Sequence, residues 1–173
     1  MRTMPWIERR FAFDTPAALF PPLVERLRGT PARVEERVRD LSPDVLRRRE
    51  QDTWSIQENV GHLIDVESLW FGRIDDFESG REVLRPADME NRRTFSADYN
   101  GRSMPEILAG FRASRMRLVE TLEGLDVSGV ERSAMHPRLG QPMRVIDMVI
   151  FAAEHDDHHL ARMTTLIRKF SGQ

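Results

Sequence analysis

Ser55-Ile56-Gln57-Glu58-Asn59-Val60-Gly61-His62-Leu63-Ile64 opens with a serine three residues ahead of a glutamate, the pattern of a helix capping box. The hydroxyl and the carboxylate can each take up a backbone N–H near the helix start that would otherwise lack a partner. Beyond the box, Val60, Leu63, Ile64, Trp70, Phe71, Ile74 and Phe77 recur at helical spacing, which predicts a long helix stopping near Gly80. The grammar repeats downstream. Ser103 and Glu106 precede Ile107, Leu108, Phe111, Leu118 and Leu122, predicting a second long helix to Gly124. A third should run from about Val145 to Phe170, after Gly140 and Pro142. Upstream, Thr30-Pro31 reads as an N-cap followed by proline at the first helical position, opening a helix through Val34 and Val38. Ser42-Pro43 repeats that signal for a short helix.

No stretch alternates like a strand, so the expected fold class is all-α. Each long helix has one apolar face, and these faces must cover one another, which makes a four-helix bundle in a single domain over residues 1–173. Two connections are long, roughly Gly80 to Arg102 and Leu125 to Met143. Links of that length often carry function, and they allow crossovers in place of simple up-down-up-down order.

Composition narrows the function. At 173 residues, 40% hydrophobic and 31% charged, the chain can bury a real core. A net charge of −2 offers no global attraction to nucleic acid or to an anionic membrane. The positive charge is almost all arginine, Lys169 being the only lysine, and it is scattered. The clusters Arg47-Arg48-Arg49 and Arg92-Arg93 read as solvated surface, since nucleic-acid binding would want aromatics interleaved with them. The absence of cysteine removes thiol nucleophiles, disulfides and thiolate metal sites, so any thiol chemistry would use a thiol from outside. The stretch from Met1 to Arg10 lacks the apolar run of a signal peptide, and the cytoplasm is the default compartment.

Three of the five histidines fall in Glu154-His155-Asp156-Asp157-His158-His159. On a helix, His155 and His159 stand about 40° apart on one face and about 6 Å apart along the axis, a spacing at which two imidazoles can reach one metal ion. They share that face with Met148, Ala152, Met163 and Leu166, whereas His158 falls on the flank. The alternative is two core histidines bonded to their neighbours, which leaves several buried polar groups to satisfy. His62, at the edge of the apolar face of its own helix, is the natural third ligand. Three imidazoles favour a divalent transition metal (zinc, nickel, iron or copper) over magnesium or calcium, and leave a coordination position open. Free imidazole would lose such a metal between roughly pH 7 and 5.

The run from Trp54 through Leu63, followed far downstream by His155-Asp156-Asp157-His158-His159-Leu160, resembles the DinB/YfiT-like family, as does the intervening loop from His136 to Pro142. The resemblance covers about Phe20 to Phe170. It implies a bundle of up-down-down-up connectivity, often a homodimer, with the metal on His62, His155 and His159. It also implies a transferase or isomerase reaction in which a low-molecular-weight thiol meets an electrophilic substrate.

Asp156 lies near the centre of the apolar stripe, either paired with an arginine or acting at the metal, as an acceptor orienting a ligand imidazole or as a base. Glu67 raises the same question on the other helix. Trp54, Trp70 and Phe71 read as core or wall. His136, in a long loop, reads as a surface residue or as a substrate contact at the site mouth. Three functions compete: a thiol-dependent metalloenzyme, with a metal-dependent hydrolase as its enzymatic runner-up; a non-catalytic metal-binding stress-response protein; and a helical interaction module without metal.

Overall fold

The computed structural model describes residues 4–172, so Met1, Arg2 and Thr3, part of the stretch read above for a signal peptide, lie outside the described residues. Eight α-helices occur among them: α1 (Phe20–Arg28), α2 (Thr30–Val38), α3 (Pro43–Arg47), α4 (Ile56–Glu78), α5 (Arg92–Ser96), α6 (Met104–Glu123), α7 (Val127–Val130) and α8 (Val145–Phe170). The bundle is built from α1 with α2, and from α4, α6 and α8.

The capping box at α4 is complete: Glu58 N donates to Ser55 Oγ at 3.1 Å and Ser55 N to Glu58 Oε2 at 2.9 Å. At α6 the hydroxyl half is present, Ser103 Oγ accepting from Glu106 N at 3.4 Å, while Glu106 pairs with Arg102. At α8 the carboxylate of Asp147 accepts the N–H of Arg144 at 3.0 Å, which holds the first turn without a hydroxyl cap. Thr30 departs from expectation. It is the first residue of α2 rather than its N-cap, because the chain arrives already helical from α1 through Gly29. The first bundle helix therefore begins at Phe20, and the Thr30 hydroxyl is free to donate to Asp156 Oδ2 at 2.8 Å.

Side-chain contacts give the helix directions. Arg26 and Arg37 meet Asp157 and Thr164, so α1–α2 and α8 run parallel. Asn59 meets His159 and Trp70 meets Phe151, so α4 runs antiparallel to α8. Glu67 bonds Arg115 and Phe71 lies under Arg117, so α4 and α6 run parallel. The connectivity is up-down-down-up. Consecutive parallel helices need a link that travels back along the bundle, and residues 79–103 supply it.

The core divides into two apolar clusters, one around Leu27, Trp70, Leu118 and Met148, the other around Val34, Leu63, Phe111 and Met163. On every bundle helix one polar residue sits between them: Thr30, Glu67, Arg115 and Asp156, all buried. Arg115 Nε donates to Glu67 Oε1 at 2.9 Å, and the same guanidinium reaches Asp156 Oδ1 at 3.1 Å and the Leu27 carbonyl at 3.3 Å. This layer ties all four helices at one level.

The second long link corrects the all-helical expectation locally. It holds α7 and a small antiparallel hairpin, β1 (Ser133–His136) with β2 (Gln141–Arg144). Strands of four residues are too short for a period-two signal to stand out. Burial alternates nonetheless in β1, turning Ala134 and His136 inward and Ser133 and Met135 outward. The first link meets this hairpin, Leu84 N donating to the Met135 carbonyl at 3.0 Å and Met135 N to Glu82 at 2.8 Å. Among the described residues no helix is long and apolar enough to cross a membrane.

Candidate metal centre

His62 projects from the second turn of α4, and His155 with His159 from one face of the antiparallel α8 that packs against it. One ring nitrogen from each of the three lies within 4.8 Å of the others, and all three residues are buried. The Nε2 atoms of His155 and His159 stand 3.3 Å apart. The helical wheel left His62 at an edge; the crossing of α4 with α8 turns that edge inward.

Two of the rings have fixed orientations. Thr94 Oγ1 donates its only proton to Asp65 Oδ2 at 2.9 Å, so toward His62 Nδ1, at 3.0 Å, it presents a lone pair. His62 therefore carries its proton on Nδ1 and turns the Nε2 lone pair to the cluster. Asp65 is held in turn by the Tyr99 hydroxyl at 2.9 Å. The Tyr99 ring lies flat on Gly61, where a Cβ would come within 2.3 Å of it; only glycine admits that approach. His159 follows the same logic. Asn59 Nδ2 donates to the Ser55 carbonyl at 2.7 Å, which turns its Oδ1 to accept from His159 Nδ1 at 2.8 Å. The Nδ1 of His155 has no partner among the described residues.

Burial pushes His62 down to about 4, with a smaller contribution from His158. Burial first, and the neighbouring imidazoles second, hold His155 and His159 well below the usual histidine range. All three rings are thus neutral at pH 7, the form that ligates. Three convergent neutral imidazoles suit a transition metal ion, to which His62 and His159 turn Nε2 lone pairs and His155 can turn its own with its proton on Nδ1, so the donor set fits one.

The trio lies on the wall of a cavity of about 630 Å³, within the range of small-molecule sites. Trp54 packs 4.6 Å from the His62 ring, Trp6 5.1 Å from His155, and Trp70 6.1 Å from His155, so aromatic side chains enclose the imidazoles. The tryptophans of α4 and its approach are walls, as read from the sequence, while Phe71 packs on the core away from the cavity. Both long links reach the site, residues 85–94 from the first and His136 to Arg138 from the second.

The other expected positions fall out differently. His158 lines the cavity half-buried but stays outside the trio, its ring 5.4 Å from that of His159. His136 is not a surface residue. The hairpin buries it against Phe151 at 5.4 Å, and burial next to Arg73 and Arg138 lowers its pKa to about 4. Asp156 pairs with Arg115 and Thr30 and does not line the cavity, which removes it from the positions weighed for a base or an imidazole acceptor. Glu67 likewise faces Arg115. Arg49 pairs with Glu58, Arg92 with Glu90 and Arg93 with Asp65, in keeping with paired, solvated surface for the basic clusters.

Asp65, Thr94, Asn59, Trp6, Arg73 and Arg138 were not singled out in the sequence. Asn59 and Asp65 carried a usable signal, each one turn from His62 on the same helix. Trp6 sits in a single 3-10 turn (Trp6–Glu8) that has no periodicity to detect.

A sequence model described as DinB superfamily matches residues 26–163. No curated protein matches the sequence. Among solved structures, the fold is similar to that of YfiT from Bacillus subtilis, described as a probable metal-dependent hydrolase with an unusual four-helix bundle topology. That likeness has a TM-score of 0.82 at 19% identity, over 95% of this chain and 94% of that one. A Streptococcus pneumoniae protein is similar with a TM-score of 0.65 at 14% identity, over 95% of this chain and 93% of that one. The colibactin self-resistance protein ClbS, solved with double-stranded DNA, is similar with a TM-score of 0.61 at 15% identity, over 85% of this chain and 94% of that one. At these identities the likeness is one of fold.

Proposed function

This chain belongs to the DinB superfamily, and on that premise we propose that His62, His155 and His159 hold one divalent transition metal ion at which an external small-molecule nucleophile is activated. The observation that carries the reading is the convergence of three neutral imidazole nitrogens within 4.8 Å on the wall of a cavity sized for a small molecule. A bound divalent ion would supply Lewis acidity, lowering the pKa of a thiol or water brought to it.

The chain's own residues do the rest. Asp65 through Thr94, and Asn59, hold His62 and His159 in one tautomer and one orientation. The tryptophan walls keep bulk water from the imidazoles. The chain contributes no carboxylate to the trio, so the ion's positive charge stays uncompensated there, which favours an anionic ligand such as a thiolate. The reaction we favour is transfer of a low-molecular-weight thiol to an electrophilic substrate, in a cytoplasmic homodimer of single-domain chains. Hydrolysis is the second reading, favoured by the shared fold with YfiT, a probable metal-dependent hydrolase.

Cobalt substitution tests the first reading. Adding a small-molecule thiol should produce a sulfur-to-metal charge-transfer band that is absent in His62→Ala. Turnover should then consume thiol and electrophile together. A fully cobalt-loaded protein that shows no band with any bacterial thiol, yet cleaves model esters or amides, would replace thiol transfer by hydrolysis.

A further inference from the structure

The cavity holds a second cluster, one indole away from the imidazoles. Arg73 on α4 lies with its guanidinium 5.8 Å over the Trp70 ring, whose other neighbours include His155 at 6.1 Å. Arg138 and His136 reach the same cavity from the hairpin turn. Each of these three side chains ends in a buried polar atom without a partner among the described residues: Arg73 Nη1, Arg138 Nη2 and His136 Nε2.

All three atoms are donors. Arg73 is almost wholly buried, and its Nε donates to the Arg85 carbonyl at 3.3 Å, which leaves the fork free. Arg138 Nη1 donates to the Ile7 carbonyl at 3.2 Å, which anchors one arm and leaves the other. His136 Nδ1 accepts the backbone N–H groups of Arg138 and Leu139, both at 3.2 Å, so the ring's proton sits on Nε2. The carboxylates that could answer these donors are engaged elsewhere. Asp76 is taken by Arg85 and Arg81, Asp65 by Thr94, Tyr99 and Arg93, and Asp88 by the backbone of Glu90 and Arg92. Two like charges and a third donor thus face one cavity wall, and although Asp76 attracts Arg73 from a distance, no carboxylate bonds Arg73 Nη1, Arg138 Nη2 or His136 Nε2. Buried donors left without an acceptor are costly, and a ligand oxyanion would satisfy all three while adding a counter-charge that bonds them directly.

We propose that Arg73, Arg138 and His136 form a subsite for an oxyanion group, carboxylate or phosphate, on the small molecule that occupies this cavity. The two arginines supply charge and fork geometry, and His136, held neutral, supplies a directed N–H. The subsite deepens the reading above, from which it takes only that the cavity admits a small molecule. It makes the ligand anionic at a point other than its reacting atom, with both points on the wall of one cavity.

Calorimetric titration of the full-length protein with inorganic phosphate and with acetate, at constant ionic strength, tests this. Wild type should bind at least one of them, and the preferred anion identifies the group. Arg138→Met should weaken binding about tenfold or more, as loss of a charge-assisted bond predicts. Repeating the titration in chelator, which empties the imidazole trio of any ion, should leave the Arg138-dependent binding in place, so failure of the metal reading does not imitate failure of this one. Arg73→Met provides an independent variant, and the imidazole 15N spectrum of wild type a variant-free reading, in which the anion should shift His136 Nε2. Absence of binding by either anion overturns the proposal. So does binding that survives Arg138→Met and Arg73→Met but vanishes in chelator, since the anion would then sit at the metal. An unmoved His136 signal at saturating anion overturns it as well.

Discussion

Thr94 stands 3.0 Å from His62 Nδ1 with its proton committed to Asp65, so a residue of the long crossover link decides which nitrogen of a bundle histidine is free. Loss of such supporting contacts typically costs 10–100-fold in metal affinity. Thr94→Val keeps the volume and removes the hydroxyl. It should weaken metal binding by about that factor while the melting temperature of the metal-free protein changes little, and Thr94→Ser should restore most of the affinity. Competition against a chromophoric chelator measures it, and equal affinity in Thr94→Val and wild type would show that Asp65 and Thr94 only fasten the link.

That link shows where the sequence was readable. Three helices of the bundle, α4, α6 and α8, announced themselves through caps or apolar period, because those signals are local: Ser55 and Glu58 are three residues apart, and Val145–Phe170 is one continuous stripe, whereas α1 opens on Leu19 without a side-chain cap and was missed. The i, i+4 pair His155 and His159 was legible for the same reason. Thr94, Arg138 and Trp6 were not, since what makes them part of the site is a crossover and a hairpin bringing distant chain to α4 and α8. Asp156 shows the intermediate case. Its spacing correctly predicted burial among apolar residues, but its partner Arg115 lies 41 positions away on another helix, and only the fold could choose the pair over the metal.

The trio makes a stoichiometric prediction. Purified protein dialysed at neutral pH should retain about one transition-metal ion per chain. His155→Ala and His159→Ala should each abolish retention, and His158→Ala should leave it largely intact, because His158 lies outside the converging group. Elemental analysis of the dialysed variants decides this. Equal loss in His158→Ala and His159→Ala would mean that the metal sits nearer the cavity mouth than the trio implies.

The polar layer makes a stability prediction. Arg115 is fully buried and is the shared partner of Glu67 and Asp156. Arg115→Met would leave two carboxylates facing each other without a cation, and breaking a buried pair by removing one partner costs about 3–5 kcal/mol. Arg115→Met combined with Glu67→Met and Asp156→Leu should recover much of that loss, since well-packed apolar residues can replace a buried ionic group. Urea denaturation of the variants gives the comparison. A loss below about 1 kcal/mol in the single variant would show that the layer is not charged as drawn.

Acid should destabilise the metal-free protein well before ordinary carboxylates titrate. Burial lowers His62 and His136 to about 4 and keeps His155 and His159 well below their usual range, whereas in the unfolded chain each titrates near ~6.5. Between those values the unfolded state binds protons that the folded state refuses, so the stability these groups contribute is present above about pH 6.5 and is lost as pH falls toward 4. Glu67 works in the opposite direction. Burial, outweighing the pull of Arg115, raises it to about 7, so its contribution is present below the usual carboxylate range and is lost as pH rises through 7. Several imidazoles against one carboxyl leave a net fall on acidification, at about 1.4 kcal/mol per pH unit for each unbalanced proton. Urea midpoints in chelator at pH 8, 6 and 5 should therefore decline steadily, and the slope should flatten in His136→Gln. The same burial moves acid release of bound metal below the window from pH 7 to 5 that free imidazole predicts. A stability that stays level or rises from pH 6.5 to 4.5 would mean that the rings accept protons inside the fold. The neutral donor set on which the metal reading rests would then be gone.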